Sequence, residues 1–210
     1  LIYTLSNSDI QIFTIGHSTH STEGFLSLLR QHSIEAVADV RSLPFSRFNP
    51  QFNREPLEQS LRNADIRYVF LGVELGARSE DPSCYLDGRV QYTRLAQTPL
   101  FQSGITRLLQ GATRLRIALM CAEKEPLECH RTLLVAHALA DHGVSVFHIH
   151  AGGQVESQMD AMGRLLNMTG IPNGDLFQSR EELIACAVSR QQEIIAFVDQ
   201  RMAAAKIHEE

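Results

Sequence analysis

Apolar residues along this chain come in short β-branched bursts, and stretches with a helical period separate them. The first burst is Gln11-Ile-Phe-Thr-Ile15, closed by Gly16-His17-Ser18-Thr19. Phe25, Leu26, Leu28 and Leu29 then fall on one face, which predicts a helix from Thr22, read as its N-cap, to Gln31. Ala36-Val-Ala-Asp-Val40 is the second strand and runs out into Arg41-Ser42. Two apolar strands joined by a helix make a βαβ unit, whose handedness and two-sided burial favour a parallel sheet.

The period breaks over residues 43–53, where Pro44 and Pro50 hold the residues before them extended and predict an irregular excursion. It resumes with a helix over 55–63, a strand over 67–71, a loop over 72–91 and a helical stretch over 92–110 interrupted at Pro99. A strand over 116–120 follows, then a charged turn and a helix over 131–141. That helix turns Leu133, Leu134, Ala138 and Leu139 inward and stops at Gly143. The next strand spans 145–149. Beyond it lie an amphipathic piece from Glu156 to Asn167, a break from Gly170 to Gly174, and a helix from Glu181 to about Ala205. Leu183, Ala187, Ile194, Val198 and Met202 keep one face of that last helix apolar, so it is expected to pack on the body.

Five strand–helix alternations predict an α/β three-layer sandwich with a mainly parallel five-stranded sheet. Residues 10–153 are read as the α/β domain, and 154–210 as a helical extension packed on it. In such sheets ligands bind beyond the carboxyl ends of the strands. Those ends are polar where the interiors are apolar: Gly16-His17-Ser18, Asp39-Val40-Arg41-Ser42, Gly72 with Glu74, Cys121 with Glu123, and His148 with His150. One cleft collecting them is the expectation.

Composition narrows the function classes. The chain has 210 residues, 44% hydrophobic and 20% charged, which fits one ordinary globular domain. A formal charge of −5 excludes a general attraction to nucleic acid or acidic membranes, though not a local basic patch. Four cysteines without a Cys-x-x-Cys pair, polar Asn7, Ser8 and Asp9 where a leader needs an apolar core, and no apolar run of about 20 residues point to a reducing cytoplasm and no membrane.

The candidate chemistry has a structural alternative at each point. The Gly16-His17-Ser18 turn can offer backbone N–H groups to an anion, or Ser18 or Thr19 can simply cap the helix. It is not a nucleotide fingerprint, and no Gly-x-Gly-x-x-Gly or Walker pattern occurs. Asp39 and Arg41, two apart on one strand face, are either an ion pair or an anion-binding fork with a proton-moving carboxylate. Phe45, Phe48 and Phe52, interleaved with Arg47 and Arg54, suit a stacked base beside a phosphate, or form a small loop core.

Cys121 and Cys129 do not fit a phosphate loop, because the residues at Cys-x5-Arg spacing are Leu127 and Val135. Cys129 at a helix start beside His130 and Arg131 favours a thiolate, while Glu123, Glu125 and Glu128 oppose it. Cys121, at a buried strand end, reads first as a core residue. Cys121, Cys129, His130 and His17 are ligand types for zinc, but adjacent Cys129 and His130 are not expected to converge on one ion, so no metal is assigned. Cys84, Cys186, His137 and His142 have no supporting cluster.

These residues also carry a resemblance. Thr14-Ile-Gly-His-Ser18, Asp39-Val-Arg-Ser-Leu-Pro-Phe-Ser46, Pro50-Gln-Phe-Asn53, Tyr68 with Leu71-Gly72 and Leu75-Gly76, and Leu119-Met-Cys-Ala-Glu-Lys-Glu-Pro-Leu-Glu-Cys-His-Arg131 resemble the DUF488 family over roughly residues 10–150. Leu75-Gly76-Ala77 departs from that family's Leu-Gly-Gly turn. The resemblance implies a small cytoplasmic α/β protein and supplies no reaction. Cys129-His130-Arg131 is also similar to the Pro-Cys-His-Arg core of O6-alkylguanine alkyltransferases, but Glu128 replaces the proline and the DNA-binding helix pattern is missing.

The resulting expectation is an enzyme acting on a small or nucleotide-like anionic ligand. Arg41 and Arg131 bind the anion, and Gly16, Ser18, Ser42, Cys121 and His130 line the site. His17 or Asp39 moves protons, Cys129 is the nucleophile or redox group, and Glu123 is a second polar contact. The alternatives are a nucleic-acid or nucleotide binding module using Arg47, Arg54, Phe45, Phe48 and Phe52, and a metal-dependent hydrolase. No cofactor follows from the sequence.

Overall fold

Each apolar burst becomes a strand; those over 11–16, 36–39 and 117–121 are covered on both faces, and the one over 67–70 is a half-exposed edge. The structure, a computed structural model, describes residues 10–172 and 177–205. In chain order the elements are β1 (Gln11–Gly16), α1 (Thr22–Gln31), β2 (Ala36–Asp39), α2 (Arg54–Asn63), β3 (Arg67–Phe70), α3 (Gly72–Leu75), β4 (Tyr85–Leu86), β5 (Arg89–Val90), α4 (Tyr92–Ala96), α5 (Pro99–Ala112) and β6 (Ile117–Cys121). A π-helical turn (Arg131–Ala136) leads into α6 (His137–Ala140), followed by β7 (Ser145–Ile149), β8 (Val155–Ser157), α7 (Gln158–Thr169), α8 (Arg180–Ile195) and α9 (Gln200–Ala205).

The main sheet has the order β3-β2-β6-β1-β7-β8. The first five strands are parallel, as the sequence predicts. The sixth, β8, pairs antiparallel with β7 and takes up the start of what reads as a continuous helical piece from Glu156. It is short and polar, with no apolar alternation to announce it.

Side chains alternate across the sheet, so two cores form. Phe13, Ile15, Val37, Ala118 and Met120 meet Phe25, Leu28 and Leu29 of α1 and Leu57 and Leu61 of α2. Ile12, Ala36, Ala38, Leu119 and Val146 meet Phe101, Ile105 and Leu108 of α5 and Leu134 and Leu139 after β6. The three-layer arrangement follows. It also fixes where a cleft opens. β1 and β2 continue into helices on one face, while β6 between them continues to the other, so the carboxyl ends of these strands part around a crevice.

A third cluster joins α7 and α8 to the π-helical segment through Leu133, Leu165, Leu166, Leu183 and Ala187. Gln191 and Gln192 reinforce it by donating to the Leu127 and Leu133 carbonyls at 3.0 and 2.7 Å.

Several local expectations shift. Ser21, not Thr22, caps α1, its Oγ accepting from Gly24 N–H at 3.1 Å. The 43–53 excursion is tied by its own bonds, among them Ser46 N–H to Asn53 Oδ1 at 2.6 Å. The last helix is broken between Ile195 and Gln200, where Val198 leaves the helical face to bridge Arg89. Gly143 does end its helix, at φ 71°. The Gly170–Gly174 break begins at Gly170, the left-handed cap of α7, and its Asn173 and Gly174 lie outside the described residues.

Candidate functional site

β1 and β6 end side by side, with Gly16 opposite Cys121. The ladder continues past the sheet: His17 N–H donates to the Cys121 carbonyl and Ser18 N–H to the Ala122 carbonyl, both at 2.9 Å. A Cβ on Gly16 would stand 1.9 Å from the Glu123 carbonyl oxygen, so glycine is what lets the loop after β6 lie over β1. The N–H groups read as anion donors are therefore bound to this loop instead.

The Asp39–Arg41 pair is complete within the protein. Asp39 is fully buried. Its Oδ1 accepts from Arg41 N–H at 3.1 Å and Arg41 Nε–H at 2.9 Å, and its Oδ2 from Arg41 Nη2 at 2.7 Å and Tyr68 O–H at 2.9 Å. Arg41 also donates from Nη2 to the Phe52 carbonyl at 2.8 Å and from Nη1 to His17 Nε2 at 3.1 Å. Four of the five guanidinium donors are thereby engaged.

His17 donates its Nδ1–H to the Ser18 carbonyl at 3.0 Å and stacks on Phe52 at 4.4 Å. Burial, helped by the Arg41 charge, lowers its pKa to about 4, so it is a neutral ring with its lone pair committed. Both ring nitrogens of His17 are thus engaged within the protein.

Arg131 is likewise fully buried. It donates to the Glu123 carbonyl at 2.7 Å and the Lys124 carbonyl at 3.3 Å, and its Nε has no hydrogen-bond partner. Among the described residues no carboxylate pairs with it. The two carbonyl bonds hold the loop after β6.

That loop brings both thiols together. Cys129 Sγ and Glu123 Oε2 lie 2.9 Å apart and share a hydrogen bond. His130 Nε2–H donates to the Val40 carbonyl at 2.9 Å, which turns Nδ1 toward Cys121 Sγ at 3.6 Å and Cys129 Sγ at 4.0 Å. Burial pushes the Cys121 thiol well up, and its neighbour Cys129 adds to this. Burial alone would raise Cys129 too, but hydrogen bonding from Cys121 and the Arg131 and His130 charges override it and bring the thiol well down. Glu123 is raised, first by burial of its carboxylate and then by Cys129.

A cleft of about 370 Å³ opens over this cluster. His17, Arg41, Ser42, Cys121, Glu123 and His130 form its floor, and Phe45, Arg78, Tyr92 and Phe197 its walls. Cys129, 1% exposed, lies beneath the floor, with Arg131. Arg78, Tyr92 and Phe197 are missed by a sequence reading. Arg78 and Phe197 meet only in space, the guanidinium 4.4 Å from the ring centre, and no spacing announces it.

Other strand-exit residues lie elsewhere. Glu74 pairs with Arg107 at 2.8 Å. His148 bonds Thr14 and Gln158, and His150 bonds Glu156. In the loop, Phe52 is fully buried whereas Phe45 and Phe48 are 70% and 88% exposed, and Arg54 covers Phe70. Cys84 is a core residue and Cys186 is exposed. Among the described residues no helix is long and apolar enough to cross a membrane.

No curated protein and no solved structure gives a significant match to the chain. A family model described as "Domain of unknown function DUF488" matches residues 21–138, from the cap of α1 into α6. That span includes Asp39, Arg41, Cys121, Glu123, Cys129, His130 and Arg131 and is more than half of the sequence. The chain belongs to the DUF488 family.

Proposed function

We propose that this chain is an enzyme acting on a small or nucleotide-like anionic ligand in the cleft over β1, β2 and β6, with Glu123 taking and returning a proton. The observation that carries this reading is Glu123 on the cleft floor, its Oε2 2.9 Å from Cys129 Sγ. A carboxylate that faces a cleft on one side and a buried sulfur on the other has both a ligand to act on and a group that tunes it. The site lies where this sheet topology concentrates function. Cys121 is the cleft-facing sulfur, and Cys129 acts from below through Glu123. The exposed Arg78 guanidinium and the uncommitted Nη1 hydrogen of Arg41 supply the positive charge for an anionic group.

The test is a panel of nucleotides and sugar phosphates screened by thermal shift, with alkylation of Cys121 followed by mass spectrometry. A ligand in this cleft raises the melting temperature and slows alkylation, and Arg78→Ala weakens it about tenfold, roughly one charged contact. Glu123→Gln binds the ligand but does not turn it over. Stabilisation without protection of Cys121, or undiminished turnover by Glu123→Gln, refutes the assignment.

The exposed Phe45 and Phe48 beside exposed Arg47 favour a second reading, a binding surface for single-stranded nucleic acid. It requires affinity that falls steeply with salt, survives Cys129→Ser and is lost in the Arg47→Ala, Arg54→Ala double variant.

A further inference from the structure

We propose that Cys121, Cys129 and His130 bind one divalent metal ion of the zinc class, with a fourth position open toward Glu123 and the cleft. The inference rests on the reading of this cluster as the reacting centre and names what it holds.

The geometry already approximates a coordination tetrahedron. Zn–S bonds of about 2.3 Å and a Zn–N bond of about 2.0 Å place sulfur and nitrogen about 3.5 Å apart and two sulfurs about 3.8 Å apart. Here Nδ1 of His130 lies 3.6 Å from Cys121 Sγ and 4.0 Å from Cys129 Sγ. All three donor atoms fall within 4.8 Å of one another, in the one such Cys/His group among the described residues. The two separations from Nδ1 are within about half an ångström of the tetrahedral value.

Adjacent Cys129 and His130 converge because the backbone changes conformation between them. Cys129 is extended, at φ −137° and ψ 139°, and His130 is helical, at φ −61° and ψ −25°. The turn carries both side chains to the same side of the chain. His17 is no ligand, since Ser18 and Arg41 occupy both of its ring nitrogens.

The surroundings fit a metal site as well. His130 is oriented by its Nε2–H bond to the Val40 carbonyl, the arrangement that fixes the ring of a metal-binding histidine. Two thiolates select a soft cation over magnesium or calcium. A divalent ion is neutralised by the two sulfurs. Binding displaces whatever protons the two sulfurs and Nδ1 carry, with no change in oxidation state. Glu123 then stands beside the open position, placed to accept a proton from a water bound there.

The experiment uses the full chain, reduced and stripped with a chelator. Zinc is titrated against a chromophoric competitor, and cobalt(II) serves as the spectroscopic probe. The expected result is one equivalent bound, with a thiolate-to-cobalt charge-transfer band and tetrahedral visible bands. Cys121→Ser, Cys129→Ser and His130→Ala each weaken zinc at least about 100-fold, more than loss of an outer partner costs. Cys186→Ser leaves binding unchanged. Where a variant fails to fold, the native chain still decides, because zinc must slow alkylation of Cys121 and Cys129 at least about tenfold while sparing Cys186 from protection.

Well under one equivalent, a cobalt spectrum without the thiolate band, or equal protection of all three cysteines overturns the proposal. Ligand protection of Cys121 in the chelator-stripped protein separates the two readings. If it persists while zinc does not bind, the metal site alone falls. If zinc binds and no ligand of the panel enters the cleft, the substrate reading alone falls.

Discussion

Acidification from pH 7 to pH 5 should remove a defined part of the protein's stability through His148. This ring is fully buried. Its Nδ1 accepts from Thr14 Oγ1 at 2.8 Å and its Nε2–H donates to Gln158 Oε1 at 2.7 Å, an arrangement that uses the neutral form. Burial first, and the Arg131 charge with it, lowers the pKa to about 4 against 6.5 for a free histidine, although Gln158 and Glu156 pull the other way. Between those two values the unfolded chain binds a proton that the folded chain does not. The stabilisation is complete above pH 6.5 and is lost as pH falls toward 4. At pH 5 the loss is about 2 kcal/mol, a sizeable share of the roughly 5–15 kcal/mol that holds a domain together.

Glu123 and His130 are raised and contribute with the opposite sign, so the absolute pH profile is not the readout. The measurement is urea denaturation of the native protein and His148→Gln at both pH values. The native protein should lose about 2 kcal/mol more than the variant between pH 7 and pH 5. Equal losses, within the error of extrapolation, refute the idea that His148 is held neutral by burial.

Asp39→Asn should destabilise the fold by about 3–5 kcal/mol in urea titrations, because it leaves the Arg41 guanidinium buried without its bidentate carboxylate. An anion-binding role without structural weight predicts a change under about 1 kcal/mol instead. The loop phenylalanines should separate sharply. Phe52→Ala costs about 3–5 kcal/mol, since the ring is buried between His17 and Phe25, and Phe48→Ala stays within about 0.5 kcal/mol at its exposed position.

The strands were legible because a buried parallel strand leaves an uninterrupted apolar run. Ile117-Ala-Leu-Met120 and Ala36-Val-Ala38 have no reading other than a covered strand or a short core helix, and their flanks decide between these. β8 and the β4–β5 hairpin were not legible. They are two or three residues long, lie at a sheet edge or outside it, and carry no period. The break before α9 was hidden as well, because Val198 and Met202 satisfy a helical pattern whether or not the chain between them is helical.

At the site, although Glu74, His148 and His150 make bonds of their own away from the cleft over β1, β2 and β6, the residue pattern by itself shows that the polar strand ends gather along one edge of the sheet. That follows from the topology of a parallel sheet, in which every carboxyl end faces the same way. What each of those residues bonds to was decided only by the tertiary structure. Arg41 and Arg131 both read in sequence as candidate anion-binding groups, Arg41 with an ion pair to Asp39 as the alternative. In the fold one is locked to Asp39 and the other to the carbonyls of Glu123 and Lys124. Cys129 and His130 look unable to share a ligand, yet a single change of backbone conformation between them aims both at Cys121. A residue's type sets which partners it can take. Which partner it has depends on distances of a few ångströms between segments far apart in the chain, and no local pattern encodes those.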